Sequence, residues 1–272
     1  MLCEVFPEVA FLGIHSMSQC SAGGIPCLRF PQITGLPGFY HGVFTRHGGV
    51  SPPPFDSLNI SYAVGDDPAC VDENLRRLRE AAGTENLCFM DQRHGTGVVV
   101  LESRVSQGFS DAPPEADAMI TDIPFAGLLV KQADCQAVIL YDPEKAVAAN
   151  VHCGWRGNVH NIIGTTVETM TERFGCDSDV LMAVVGPSLG PCCAQFVDYR
   201  ELFPRSFTRF MLREGFFDLW AISCSQLLEA GLRQERISVA GICTRCHPEL
   251  FYSYRGEGRT GRFGTVVMLT PG

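Results

Sequence analysis

The stretch KQADCQAVILYDPEKAVAANVHCGWRG, residues 131–157, decides the fold of this chain. Two apolar runs, AVILY (137–141) and AVAANV (146–151), flank the short turn DPEK, and this pattern predicts a buried β-hairpin. In an antiparallel hairpin the start of the first strand lies beside the end of the second. We therefore expect Cys135 and His152 to be neighbours at the open end of the hairpin.

A thiol beside an imidazole has two main uses in proteins. The pair can bind zinc, or it can act as an activated nucleophile with its base. The alternative is a small buried thiol with a histidine that hydrogen-bonds to the backbone. The segment Gly154-Trp155-Arg156-Gly157 follows directly and places an aromatic ring and a guanidinium before a predicted helix, which suits an anion site.

The composition is that of an ordinary globular protein. The chain has 272 residues, of which 46% are hydrophobic and 19% charged, and its net charge of −9 argues against a nonspecific nucleic-acid partner. No apolar run reaches transmembrane length, and the segment before Arg29 carries Glu4 and Glu8 instead of the basic residues of a signal peptide. We therefore expect a cytoplasmic location, no membrane partner, and mostly reduced, buried cysteines among the 13.

The order of strands and helices predicts an α+β fold, in which mixed β-sheets carry flanking helices. Residues 1–29 have weak periodicity and are predicted to be an N-terminal extension, and residues 30–272 a single catalytic domain. Asp67 and Pro68 begin a predicted helix that Gly83 ends. Further helices are predicted after residue 157 and over 198–212 and 218–230, strands at 98–101, 118–120, 126–130, 181–186, 237–242 and 264–269, and a polar loop at 104–116.

Two short motifs match patterns whose context is wrong. CTRCH (243–247) fits the pattern for covalent haem attachment, but that chemistry needs export; a structural role for Cys243 and Cys246 is favoured over a redox role. GEGRTG (256–261) precedes a predicted strand instead of following one, so it is not a dinucleotide fingerprint. The adjacent pair Cys192-Cys193 is expected to line the site or to pack beneath it.

Several motifs, in order along the chain, resemble the YfiH-like, laccase-domain family of bacterial proteins. The resemblance is carried by ADC (133–135) and VHCGWRG (151–157), and it spans about residues 36–270. It implies the family's fold for this chain. The other matching motifs are FTRHGGVS (44–51), SLNISYAVGDD (57–67), QRHG (92–95), GPSLGPCC (186–193) and GICTRCHPELFYSYRGEGRTGR (241–262).

The resemblance also implies a function. Members of the family are described as purine nucleoside phosphorylases with adenosine deaminase activity, acting on adenosine, inosine, guanosine and S-methyl-5'-thioadenosine. By this resemblance His94, Cys135 and His152 are zinc ligands, and purine nucleosides and inorganic phosphate are the substrates. Arg46 and Arg156 then become candidate phosphate clamps, because a guanidinium can bind two phosphate oxygens.

The remaining site residues have competing interpretations. Asp134 is the candidate carboxylate for proton transfer during deamination, or else it holds a ligand histidine in place. Trp155, or Phe251 with Tyr252, could stack on the purine, although core packing is the safer expectation.

Three other functions stay open at this point. The first is a metal-free hydrolase or deamidase, with Cys135 as nucleophile and His152 as base. The second is a copper-dependent polyphenol oxidase, the older description of the family, which is disfavoured because the chain lacks a dense His-Cys-His copper motif. The third is a nonenzymatic role in binding peptidoglycan or a partner protein.

Overall fold

The predicted hairpin lies in the middle of the larger of two large β-sheets in the computed structural model, which describes residues 10–101 and 113–271. Its strands cover Gln136–Asp142 and Val147–Cys153, slightly longer than the apolar runs alone, and every residue in them is buried. The expected neighbours do meet, since the register pairs His152 with Ala137 and so brings it level with the start of the first strand.

The strands and helices are numbered along the chain. The strands are β1 (Ala10–Phe11), β2 (Ser18–Ala22), β3 (Ile25–Arg29), β4 (Phe39–Phe44), β5 (Asn86–Phe89), β6 (Val98–Leu101), β7 (Ala118–Thr121), β8 (Ala126–Gln132), β9 (Gln136–Asp142), β10 (Val147–Cys153), β11 (Met182–Val185), β12 (Met211–Arg213), β13 (Phe216–Phe217), β14 (Ile237–Val239) and β15 (Phe263–Leu269). The α-helices are α1 (Pro68–Ala82), α2 (Trp155–His160), α3 (Ile162–Phe174), α4 (Tyr199–Leu202), α5 (Leu219–Glu229) and α6 (Tyr254–Glu257). Short 3₁₀ helices cover Ile14–Ser16, Tyr62–Val64, Arg205–Phe210, Gln234–Arg236 and Thr244–Cys246.

The two large sheets pack face to face, and helices cover their outer faces. One sheet has the order β1-β14-β11-β9-β10-β7-β6 and the other β2-β3-β4-β15-β8-β5. Both contain parallel and antiparallel pairs, which confirms the predicted α+β fold with mixed sheets and flanking helices. Helices α3 and α5 pack on the first sheet and α1 on the second, so the layers run helix, sheet, sheet, helix.

This layering explains why the hairpin strands are apolar on both faces. Successive side chains of a strand point to opposite sides of the sheet. In β9, Ile139 and Tyr141 enter the core between the two sheets, while Val138 and Leu140 enter the core under the helices. Asn150 in β10 is buried between the sheets, and its amide donates to the carbonyls of Leu128 and Thr265 at 2.9 Å each, which ties one sheet to the other.

The N-terminal segment is more ordered than its weak periodicity predicts. We expected an extension with at most one strand, yet β1, β2 and β3 all lie within residues 10–29. Strand β3 pairs with β4 through Cys27 and Phe44, and both side chains are buried. Residues 18–29 therefore belong to the second sheet. Residues 1–9 lie outside the described part of the chain, as does most of the predicted loop at 104–116.

Two of the predicted helices start where their caps predict. Asp67 accepts a hydrogen bond from the N–H of Ala69 at the start of α1, and the left-handed Gly83 ends that helix. Asp218 caps α5 in the same way.

No helix of the described residues is long and apolar enough to cross a membrane. Most described cysteines are free thiols, as predicted, and Cys27 is disulfide-bonded.

The predicted helix over 198–212 is wrong. The chain forms only the four-residue α4, then a 3₁₀ turn over Arg205–Phe210 and the short strand β12. Pro204 explains the break, because proline lacks the N–H that a helix interior requires and its ring clashes with the preceding turn. The phenylalanines of this segment, Phe203, Phe207 and Phe210, are buried in an apolar cluster against which Trp155 packs.

Candidate metal centre

Three side chains from separate parts of the chain converge at the rim between the two sheets. His152 is at the end of β10, Cys135 is in the turn before β9, and His94 is in the loop between β5 and β6. The Cys135 Sγ lies 3.7 Å from His94 Nε2, and one donor atom from each of the three residues lies within 4.8 Å of the others. The two imidazole rings meet edge to face at 4.8 Å. The structure thus gathers the three zinc ligands that the resemblance implies.

Asp117, just before β7, organises both histidines. It is 1% exposed, and its Oδ1 accepts hydrogen bonds from the His152 ring at 2.8 Å and from the backbone N–H of His94 at 2.9 Å. Its Oδ2 accepts from the N–H groups of Gly95 at 2.6 Å and Arg93 at 3.2 Å. A proton on His152 Nδ1 leaves Nε2 free as a ligand, the arrangement that carboxylates commonly impose on metal-binding histidines.

The loop of His94 is held in a backbone conformation that this residue type seldom adopts. The φ angle of His94 is +60°, in the left-handed region, where a side chain other than glycine costs roughly 1 kcal/mol. The hydrogen bonds from consecutive backbone N–H groups to Asp117 offset that cost. The geometry therefore aims the imidazole at Cys135.

The electrostatics of the centre favour a thiolate. Burial raises the pKa of the Cys135 thiol, but the facing His152 and His94 outweigh it and bring the pKa below its ordinary value. Burial lowers the pKa of His152, while Cys135 and Asp117 raise it above its ordinary value. A thiolate and a nearby imidazole are the form that a zinc ion binds after displacing the imidazole proton.

The donor set and the space around it both fit a zinc ion. Two imidazole nitrogens and one thiolate are usual zinc ligands, and three protein ligands leave a fourth position for water or substrate. Gly154 makes this space possible, since a Cβ at that position would lie 2.9 Å from Cys135 Sγ and 3.0 Å from His94 Cδ2. A larger residue there would block the side of the thiolate that a metal needs.

Two adjoining cavities open at this centre. The smaller, of about 260 Å³, is bordered by Trp155, Leu189, Phe196 and Leu219, and the larger, of about 480 Å³, has more polar walls. Both share His94, Cys135 and Tyr254. Tyr254 is 62% exposed, so an aromatic ring stands at the boundary between them. The cationic residues that line the cavities are Arg156 and Arg255 in the smaller and Lys131 and Arg262 in the larger.

Asp134 lies in the wall of the smaller cavity. Its Oδ1 accepts from the hydroxyls of Thr244 at 2.8 Å and Ser253 at 2.7 Å, and its Oδ2 from the backbone N–H of Arg255 at 2.5 Å. These bonds hold the carboxylate in one orientation and fasten the C-terminal loops to the turn before β9. The carboxylate that holds His94 and His152 in place is therefore Asp117. Asp134 instead lies in the wall of the smaller cavity.

The structure places Arg46 away from the centre. Arg46 is 7% exposed and lines neither cavity. Its Nε donates to the Asp56 carbonyl at 3.0 Å, and its Nη1 to the Pro248 carbonyl and the Glu257 carboxylate at 2.9 Å each. The guanidinium also stacks on the Tyr252 ring at 4.5 Å. The expected role of Arg46 as a phosphate clamp thus has no support in the geometry, because its donors already bind protein acceptors.

The Arg46→Ala variant is therefore expected to lose stability instead of phosphate affinity. Removing one partner of a buried ion pair leaves unpaired acceptors and usually costs about 3–5 kcal/mol. We expect the free energy of unfolding to fall by less, roughly 2–3 kcal/mol, because Glu257 is 30% exposed. Urea unfolding measures this. The control is Arg233→Ala, which removes an exposed pair with Asp179 and should change stability by less than about 1 kcal/mol. If Arg46→Ala instead had normal stability and a weaker affinity for phosphate, Arg46 would be a phosphate clamp after all.

The other aromatic candidates separate clearly. Phe251 and Tyr252 are fully buried in the core between the sheets, so neither can stack on a bound base. Trp155 packs edge-on against Phe196 and Phe203, at 6.2 and 5.8 Å, yet it also borders the smaller cavity. Sequence reasoning missed Tyr254 as an exposed ring at the site.

Comparison with known proteins points to one family. The model of a family described as "Multi-copper polyphenol oxidoreductase laccase" matches residues 40–270. A purine nucleoside phosphorylase of Xylella fastidiosa is 32% identical over 233 residues, which cover 81% of this chain and 88% of that protein. The purine nucleoside phosphorylase YlmD of Bacillus subtilis is 32% identical over 241 residues, covering 83% of this chain and 87% of that protein.

A solved structure agrees with these matches. The crystal structure of the Bacillus licheniformis hypothetical protein YfiH superposes on this chain with a TM-score of 0.82. It is 27% identical in sequence, and the superposition covers 92% of this chain and 97% of the other. The layered arrangement of sheets and helices is therefore one that has been observed experimentally.

Proposed function

The chain belongs to the family described as multi-copper polyphenol oxidoreductase laccase, and from that membership and the geometry of its site we propose that it is a zinc-dependent purine nucleoside phosphorylase with adenosine deaminase activity. The observation that carries the proposal is the convergence of His94, Cys135 and His152 on a point open to two cavities. The names of the relatives support a nucleoside as the substrate class. The expected substrates are adenosine, inosine, guanosine and S-methyl-5'-thioadenosine.

In the proposed reaction a phosphate oxygen attacks the anomeric carbon of the ribose. The bond from that carbon to the purine nitrogen breaks, and the products are ribose 1-phosphate, or its methylthio analogue, and the free purine. The smaller cavity suits the base, because Trp155, Leu189 and Phe196 give it apolar walls. The larger cavity suits phosphate, because Lys131 and Arg262 give it positive charge. Holding the two reactants beside each other accounts for much of the rate enhancement.

Arg156 and Asp134 complete the proposed site. Arg156 is exposed, lines the smaller cavity and stacks on Trp155 at 4.8 Å. It therefore stays a candidate phosphate ligand, reaching the phosphate from the cavity that would hold the purine. When bound by the three ligands, zinc would supply Lewis-acid chemistry and a more acidic bound water, which deamination at purine C6 requires. Asp134 is the carboxylate in the same cavity wall, and we assign to it the proton transfer of that step.

One second candidate is favoured by a specific observation. The lowered pKa of Cys135 and the raised pKa of His152 are also what a thiolate nucleophile with its base needs. A metal-free hydrolase or deamidase would use the same pair of residues and would be insensitive to chelators. The two proposals thus differ in whether metal removal affects turnover.

The test is a phosphate-dependent assay of base release, paired with metal analysis. The purified chain should release adenine from adenosine only when phosphate is present, form ribose 1-phosphate in equal amount, and lose this activity when chelated. Release of inosine would report deamination. Zinc added back should restore both activities. Chelator-resistant hydrolysis with Cys135 labelled by iodoacetamide would favour the hydrolase, and copper-dependent phenol oxidation would favour the oxidase.

The role of Lys131 predicts a pH dependence. Burial lowers the pKa of Lys131 to about 8, against the raising effect of nearby Asp91. The ammonium is therefore charged below about pH 8 and is lost above it, so phosphate binding should weaken roughly tenfold as the pH passes through this value. The measurement is the apparent KM for phosphate against pH.

The matched variants separate Lys131 from the titration of phosphate itself. Lys131→Arg keeps its charge, so its phosphate KM should not rise through this range. Lys131→Gln should bind phosphate weakly at every pH, without the inflection. An inflection that persists in Lys131→Gln would show that another group is responsible.

A further inference from the structure

Four cysteines meet at a second place in the fold, and the proposed reaction does not use them. Strands β11 and β14 are parallel neighbours, so the loops that follow them leave the same edge of the sheet. The loop after β11 carries Cys192 and Cys193, and the turn after β14 carries Cys243 and Cys246. All four sulfur atoms lie within 4.8 Å of one another.

We propose that these four cysteines bind a thiophilic divalent cation, zinc, at a site separate from the His94-Cys135-His152 centre. Cys246 Sγ lies 3.7 Å from Cys192 Sγ and 3.6 Å from Cys193 Sγ. Four thiolates at about 2.3 Å from a tetrahedral zinc are about 3.8 Å apart, whereas the sulfurs of a disulfide are about 2.05 Å apart. The observed separations match the edges of a tetrahedral site.

The segment 243–246 has the cysteine spacing of half a structural zinc site. Cys243 and Cys246 have the C-x-x-C spacing that places two thiolates on one ion. The N–H of Cys246 donates to the Cys243 carbonyl at 3.1 Å, so the two cysteines lie in one tight turn. Cys192 and Cys246 are exposed, which gives an ion a way in.

Four protein ligands leave no open position, so this site is structural. It would join two loops that already contact each other, through the N–H of Thr244 bonded to the Ser188 carbonyl at 3.0 Å. These loops carry Leu189 in the wall of the smaller cavity and Thr244 on the Asp134 carboxylate. The ion would therefore fix the wall of the cavity without touching the reacting atoms.

Metal analysis of matched variants tests this site. We expect about two zinc equivalents in the wild-type chain, about one in Cys135→Ala, and about one in Cys243→Ser. The control is Cys70→Ser, since Cys70 is a free, half-buried cysteine on α1, outside both metal clusters, and it should keep about two equivalents. Unchanged metal content in Cys243→Ser, or a peptide map with a disulfide between the two loops, would overturn the site.

A second measurement does not depend on the folding of Cys243→Ser. The Cys135→Ala chain loaded with Co²⁺ should show the intense visible absorption of tetrahedral thiolate coordination, and absence of these bands would also overturn the site. Failure of the four-cysteine site and failure of the proposed function give different metal contents in these variants. A chain whose one metal ion survives Cys135→Ala and is lost in Cys243→Ser would support the four-cysteine site while refuting a zinc-dependent phosphorylase.

Discussion

Replacing Cys135 by alanine is expected to remove the metal from the His94-Cys135-His152 centre and to lower kcat/KM by roughly 10³-fold or more. In the proposed centre Cys135 would supply the anionic ligand, and the buried His152 and the half-buried His94 would supply nitrogen ligands that are neutral when they bind metal. Two imidazoles without the thiolate hold zinc weakly. Zinc bound per chain and the rate of phosphate-dependent adenine release should therefore fall together.

Controls assign the loss to the metal. His152→Ala should behave like Cys135→Ala, because each removes one of three ligands. Cys70→Ala changes a half-buried thiol of α1 and should leave kcat/KM unchanged. In the wild-type chain, chelation should cause a similar loss that added zinc reverses. If Cys135→Ala abolishes turnover but chelation does not, the thiol acts as a nucleophile and the metal proposal fails.

The hairpin and the proximity of two of the three residues of the proposed metal centre could be predicted from local sequence. The runs 137–141 and 146–151 and the turn between them determine the strands, and antiparallel pairing then brings Cys135 close to His152. Spacing alone did not predict His94, which is distant in sequence; only the resemblance to the family indicated it. Its approach depends on backbone hydrogen bonds to Asp117, and sequence periodicity carries no information about such bonds.

Other site residues were missed because their roles are set by tertiary contacts. Asp117 had one visible signal: it is an acidic residue directly before the apolar run 118–120, where a charge is buried at a cost unless it is paired. Arg46 was expected to bind phosphate because of the resemblance to the family, but the fold turns it toward Glu257. Tyr252 and Tyr254 are two positions apart, yet one is core and the other lies at the cavities.

The second large effect is expected at Asp117, because one buried carboxylate serves four donors. Its oxygens accept from the His152 ring and from the backbone N–H groups of Arg93, His94 and Gly95. Losing it frees the His152 ring to rotate and removes the anchor of the His94 loop, whose φ of +60° is costly without support. Both histidine ligands are then mispositioned although neither has been changed.

The Asp117→Ala variant should bind zinc about 10- to 100-fold more weakly and should lose roughly 3 kcal/mol of folding free energy. Asp117→Asn should resemble it, since an amide nitrogen can only donate and would face backbone N–H groups. Asp122→Ala, which changes an exposed residue just beyond the other end of β7, is the control and should change neither quantity. Metal titration and urea unfolding measure the two effects, and wild-type zinc affinity in Asp117→Ala would contradict the positioning role.

The pH dependence of the stability difference between the wild-type chain and Asp117→Ala gives an independent check of its cause. Burial raises the pKa of Asp117, but the His152 ring and the backbone N–H donors outweigh it and hold the pKa below its ordinary value of 3.8. A lowered pKa means that the ionised carboxylate stabilises the fold above about pH 4 and that this contribution is lost as the pH falls further. The stability gap between the wild-type chain and Asp117→Ala should therefore be constant between about pH 5 and 6 and should narrow in acid. It should also narrow as the pH rises toward 9, because Asp117 helps to raise the pKa of His152 to about 9 and the imidazole loses its charge above that value. A gap that already narrowed near pH 6 would mean that the His152 imidazole loses its proton at its ordinary pKa and that Asp117 does not hold it in the charged form.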